Sequence, residues 1–211
     1  MKKRGIFIIS IALSIIAAFI SFLYDKEIIK FVSSIRTDSL DYLFLSVIFI
    51  SNAYIIFFFL TTLFLWNNNH RRWVLPLWFT SFFAISIGYL LKIIIARPRP
   101  FQAIKGFSVL QIAFHFIKNN FNTWNFSFPS LQALIVFSAL PILGKEFKKF
   151  KYIWFIFACL VVFSQVYFGV HYLSDVIAGA IIGYLIGLIM VKIEEKYNYS
   201  HILMRKLGIS K

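Results

Sequence analysis

The chain has 211 residues, 60% hydrophobic and 20% aromatic but only 14% charged, with a net charge of +14. So few polar groups cannot cover a water-soluble globule of this length, which excludes an ordinary soluble domain and places the chain in a bilayer. The positive balance does not signal nucleic acid, because the basic residues are spread over short connections between apolar runs, a distribution suited to anionic lipid headgroups.

Apolar runs predict helices near residues 5–23, 43–66, 73–95, 131–143, 152–170 and 176–191. The expected fold is therefore all-α: one integral-membrane six-helix bundle occupying 1–211, with no linker or repeat that would mark a second domain. The first run follows Lys2, Lys3 and Arg4 as a signal peptide would, but it is long and no small-residue cleavage site follows, so it reads as a retained helix. The first connection sets Lys26, Lys30 and Arg36 against Asp25, Glu27, Asp38 and Asp41, a net of −1. Its stretch 28–32 reads either as an interfacial segment or as a plain loop. In the second run, Phe57, Phe58 and Phe59 read as lipid-facing, a groove for a lipid tail being the less economical account.

With six spans the N-terminus, the second and fourth connections and the C-terminus share one side of the membrane. Their net charges are +3, +2, +3 and +3, so +11 of the +14 falls on one face, and that face is expected to be cytoplasmic. The third connection breaks the pattern. It is basic through Arg97, Arg99, Lys105 and Lys118, yet lies on the extracytoplasmic side. Taken alone, Arg97 or Arg99 reads as an interfacial anchor that ends the third helix beside Pro98 and Pro100. Lys92 argues for a ligand, since it sits about one turn inside an apolar run, where a cation is costly unless it faces a partner or a wet cavity.

Lysine and arginine together suit phosphate, one as a compact charge and the other as a planar fork. Ser130, after Pro129, reads equally as an ordinary helix N-cap and as part of an anion site, with the backbone amides of Leu131 and Gln132 as further donors. The fourth predicted helix is short for a full span and is expected to open on a cavity. In the fifth, Cys159 reads as a small packing residue. His171 and Asp175 are spaced to share one helical face, where the carboxylate can fix the imidazole tautomer. Such a pair also occurs for purely structural reasons, but ionisable groups beside a span favour function. His70, His115 and His201 lie at no metal-ligand spacing, so neither a metal nor any other cofactor is expected. Gly179, Gly183 and Gly187 repeat every four residues in the sixth run, which predicts close helix contact within the bundle.

The segments Lys92-x6-Arg99-Pro100, Pro129-Ser130-Leu131-Gln132 and Ser164-Gln165-x5-His171-x3-Asp175 resemble, in order and spacing, the three motifs of the type 2 phosphatidic acid phosphatases related to vanadium haloperoxidases. The resemblance runs from the second helix to the sixth. It implies that Lys92, Arg99, Ser130 and Leu131 bind phosphate, that His171 forms a phosphohistidine and that Asp175 orients it. Two positions depart from the family pattern. Gln132 occupies the place of the histidine that protonates the leaving group, and Gln165 the place of an arginine on the phosphate. Loss of the general acid forfeits about 10²–10⁴ in rate.

The expectation is an integral-membrane lipid phosphatase, impaired by the two glutamines, acting on a lipid phosphate or an isoprenyl diphosphate from the extracytoplasmic side of the cell membrane. His115 is a candidate substitute acid. Two alternatives stand beside this reading: a phosphotransferase with a non-water acceptor, suggested by Leu131, and a non-catalytic lipid-phosphate-binding protein, suggested by the glutamines. Neither nucleic acid nor a particular oligomeric state is implied.

Overall fold

The computed structural model describes residues 2–100 and 126–206. Helix α1, Lys2–Ser34, runs unbroken past the predicted end at residue 23. No Gly or Pro interrupts 6–34, and Ile29 and Val32 are buried in a cluster with Phe44. Stretch 28–32 is therefore the last part of a long helix and neither a loop nor a separate interfacial segment.

The expected single span over 43–66 is instead two helices, α2 (Asp38–Ile50) and α3 (Ala53–Leu65), bent by 57° at the break between them. Capping explains the break. Asn52 accepts from the Tyr54 amide at 3.0 Å and so starts a new helix, where an uninterrupted ladder would have left its side chain idle. A 3₁₀ turn at Arg71–Trp73 leads into α4, Val74–Ile95. Ala96 ends α4 in the left-handed region at φ 47°, its amide donating to the Lys92 carbonyl at 2.9 Å.

Helix α5 spans Leu131–Glu146, α6 Lys151–Tyr167, α7 Leu173–Tyr197 and α8 Tyr199–Lys206. Among the described residues four helical stretches are long and apolar enough to cross a membrane, or up to five if the bent α2–α3 pair is one span. The chain is a multi-pass membrane protein. At 16 residues α5 is shorter than these spans, and it lies in the interior against α4, α6 and α7.

The glycine stripe explains how α5 reaches the centre. A Cβ on Gly179 would lie 2.7 Å from the Ser130 carbonyl oxygen, and on Gly183 and Gly187 it would collide with the carbonyls of Leu134 and Ser138. Backbone therefore meets backbone along α5 and α7, an intramolecular contact as expected. Most apolar side chains of α1, one face of α3 and the outer face of α6 are exposed, as lipid-facing residues must be, and Cys159 is among them. Cys159 thus does not pack inside the bundle as predicted.

Candidate active site

The ends of four helices meet at one end of the bundle: the end of α4, the start of α5, the end of α6 and the start of α7. After the left-handed turn at Ala96, Pro98 forms an isolated antiparallel bridge with Phe126, and the Ser127 amide donates to the Arg97 carbonyl at 2.7 Å. The two ends of the third connection are thereby held together. Lys92 is 1% exposed, and its Nζ donates to the Phe126 carbonyl at 2.6 Å.

Ser130 caps α5, its Oγ accepting from the Ala133 amide at 3.4 Å, while its own amide donates to the Asp175 carbonyl at 3.1 Å. The N-cap reading is thus observed, and the cap is fully buried. Helix α6 ends at Tyr167 and Gly169 turns the chain at φ 60°, so that the amides of Val170 and His171 donate to the Gln165 carbonyl at 3.0 and 3.2 Å. His171 therefore rides on a turn before α7. The i,i+4 spacing to Asp175 does not reflect a shared helical face as the sequence suggested, because Tyr172 is already extended and the helix starts only at Leu173.

His171 Nδ1 lies 3.9 Å from Asp175 Oδ2, beyond hydrogen-bond reach. Asp175 Oδ2 instead accepts the Tyr172 amide at 3.0 Å and the Ser127 hydroxyl, and Oδ1 accepts from Arg97 Nη1 at 2.5 Å. Arg97, read from sequence as an anchor, belongs to this network. Its Nη1 also donates to Ser174 Oγ at 2.8 Å and its Nη2 to Asp25 Oδ2 at 2.7 Å. Burial pulls the Arg97 guanidinium down, but Asp175 and Asp25 outweigh that pull and leave it above its ordinary value.

Arg99 is 4% exposed and donates from Nη1 to the Val170 carbonyl at 3.2 Å, directly before His171. Burial pulls its guanidinium down to about 10, with the Asp175 carboxylate opposing, so it stays cationic at neutral pH. Lys92, Arg99, Ser130, Gln165, His171 and Asp175 thus gather at one end of the bundle. Gln165 Nε2 is buried and finds no hydrogen-bond partner among the described residues.

Gln132 differs from them. Its Nε2 donates to the Ser51 carbonyl at 2.8 Å and to Ser51 Oγ at 2.5 Å, at the α2–α3 break. Non-helical backbone in lipid must be satisfied from within the protein, and Gln132 does this for Ser51. Leu131 packs the other way, its side chain filling the space beside Gly88 of α4. Lys105, Lys118 and His115, the suggested substitute acid, lie outside the described residues.

No group of three or more His, Cys, Asp or Glu side chains suited to a metal ion occurs among the described residues. The converging groups are two buried cations, a helix N-terminus and a histidine near a carboxylate, a set suited to an anionic phosphoryl group. This is a helical membrane protein with a candidate phosphate-type site. Its sequence matches the profile of the PAP2 superfamily over residues 73–199, and the chain belongs to that superfamily.

Over 136 residues the chain is 32% identical to an undecaprenyl-diphosphatase of Sulfolobus acidocaldarius, covering 64% of this chain and 62% of the relative. Over 75 residues it is 35% identical to the bacitracin transport permease protein BcrC of Bacillus licheniformis, covering 36% and 37%. It therefore spans less than two thirds of either relative. The crystal structure of Aquifex aeolicus LpxE superposes with a TM-score of 0.65 at 25% identity, over 79% of this chain and 93% of that one. A transmembrane PAP2-type phosphatidylglycerolphosphate phosphatase from Bacillus subtilis superposes with a TM-score of 0.64 at 22% identity, over 90% and 96%, and shares the fold.

Proposed function

We propose that the chain is an integral-membrane lipid phosphatase that hydrolyses an isoprenyl diphosphate or a lipid phosphate through a phosphohistidine at His171. The observation that carries this reading is the placement of two buried cations, Lys92 and Arg99, at the same end of the bundle as His171, with Arg99 bonded to the carbonyl that precedes it. A His171 ring nitrogen attacks phosphorus as the bond to the leaving oxygen breaks and that oxygen keeps the electron pair. Water then attacks the phosphohistidine, the P–N bond breaks, and inorganic phosphate and free imidazole result. Lys92, Arg99, the Ser130 hydroxyl and the amides that follow it neutralise the phosphoryl oxygens, with Gln165 as a neutral donor where the family has arginine. Asp175 stabilises the imidazolium.

Gln132 cannot transfer a proton, so a substrate whose leaving group needs none suffers least. Phosphate leaving from an isoprenyl diphosphate is a far weaker base than the alkoxide leaving from a phosphatidate. Similarity to an undecaprenyl-diphosphatase supports the same substrate class. The site opens on the extracytoplasmic side of the cell membrane in this reading, with the basic connections and both termini in the cytoplasm.

The test is phosphate release by purified protein from an isoprenyl diphosphate and from a phosphatidate, beside His171→Ala. Faster release from the diphosphate, abolished in the variant, is the expected result. A second reading, a protein that binds lipid phosphate without turning it over, is favoured by the engagement of Gln132 with Ser51. Binding of the diphosphate without release of phosphate in any arm would establish it.

A further inference from the structure

We propose that Asp25, on α1 and outside the matched residues 73–199, is a positioning residue for the His171–Asp175 pair and acts through Arg97. The inference rests on His171 and Asp175 being the reacting pair.

A carboxylate in an apolar helix is costly unless it is fully paired, and Asp25 is 3% exposed. It is paired by Arg97 Nη2 at 2.7 Å, the Ser174 amide at 3.1 Å, the Ser174 hydroxyl and, from its own helix, the Ser21 hydroxyl at 3.3 Å. Except for Ser21, its donors come from Ser174, the neighbour of Asp175, and from Arg97, which holds Asp175 directly.

The guanidinium is a rigid planar fork, so fixing one prong orients the other. Here one prong goes to each carboxylate, and the faces of Tyr172 and Phe22, with centroids 4.1 and 4.9 Å away, close on the cation. A carboxylate is the natural acceptor for both prongs together. Asp25 takes one prong and thereby prevents Arg97 from gripping Asp175 with both, which keeps Asp175 Oδ2 turned toward Tyr172, Ser127 and the His171 ring. Without Asp25, Arg97 is free to capture Asp175 completely, and the imidazolium loses its counter-charge. Among the described residues, the charged groups at this end of the bundle then include Asp175 from α7, Arg97 and Arg99 from the segment after α4, Lys92 from α4 and Asp25 from α1.

Two effects of Asp25→Asn therefore share a sign. Removing a negative charge and releasing Arg97 onto Asp175 both disfavour His171 in its cationic form. The experiment is a histidine-selective NMR titration of the full chain in detergent, with the His171 signal assigned by its loss in His171→Ala. Asp25→Asn is expected to lower the His171 midpoint by on the order of one pH unit. In an Arg97→Lys background, which keeps the charge but not the fork, the same change is expected to produce about half that shift or less. Asp25→Glu, which keeps the charge and moves it by one methylene, covers the case in which the asparagine variant does not fold; its expected result is a smaller fall.

An unmoved midpoint in the folded variant, or an equal shift in both backgrounds, overturns the proposal. The titration needs no turnover. Phosphate release measured beside it reads the hydrolase assignment separately. Where the wild type is active, a fall in kcat of about tenfold at unchanged KM is the expected kinetic counterpart.

Discussion

Gln132, which the motif resemblance sets at the place of a proton donor, performs a structural task. Its two hydrogen bonds to Ser51 satisfy backbone that the α2–α3 break leaves unpaired. Gln132→Ala is therefore expected to cost about 1–3 kcal/mol, the penalty for stranding a buried polar group, and to lower the Tm in detergent. Gln132→His with Gln165→Arg is expected to raise phosphate release from a phosphatidate by about 10²–10⁴, the usual value of a general acid, with a smaller gain for an isoprenyl diphosphate. Equal gains for both substrates would contradict the leaving-group argument. These residues were legible one by one in the sequence because Lys92, Arg99, Ser130 and His171 stand in recognisable spacing. Their second layer was not. Asp25, Ser127, Ser174 and the role of Arg97 depend on long-range contacts, and the one available signal was Asp25 itself, the first acid after the apolar run of the first helix.

At the scale of the elements, helix ends carry the site and close helix contacts hold those ends in place. The α5–α7 contact depends on Gly183, whose Cα faces the Leu134 carbonyl with no room for a methyl group. Gly183→Ala is expected to destabilise the fold by about 1–3 kcal/mol, the range for overpacking a tight interface, seen as a lower Tm together with lost activity. Ala96 gives the opposite sign. It adopts φ 47° without the freedom of glycine, and Ala96→Gly is expected to raise stability by up to about 1 kcal/mol with the site geometry unchanged. The apolar runs located most helices because lipid imposes length on hydrophobicity. They missed the end of α1 and the α2–α3 break, since polar residues at a membrane boundary are compatible with helix continuation as well as with a turn, and packing decides between them.

At the scale of the whole molecule, the basic turn before α4 and the basic end of α5 lie at the opposite end of the bundle from the candidate site. His70, Arg72 and Trp73 converge on Glu146 at the basic end, tying the turn before α4 to the end of α5. With Cys159 replaced by serine, a single cysteine at Asn68 is expected to react with an impermeant reagent only from the cytoplasmic side, and one at Thr37 only from outside. The reverse pattern would invert the topology. The bridge from Pro98 to Phe126 has a separate consequence for engineering and descent. The two ends of the third connection are joined before the chain departs between them, so the frame around His171 is closed without regard to the number of residues that intervene. Such a neck lets a segment lengthen, shorten or be exchanged for another while the groups beneath it keep their register.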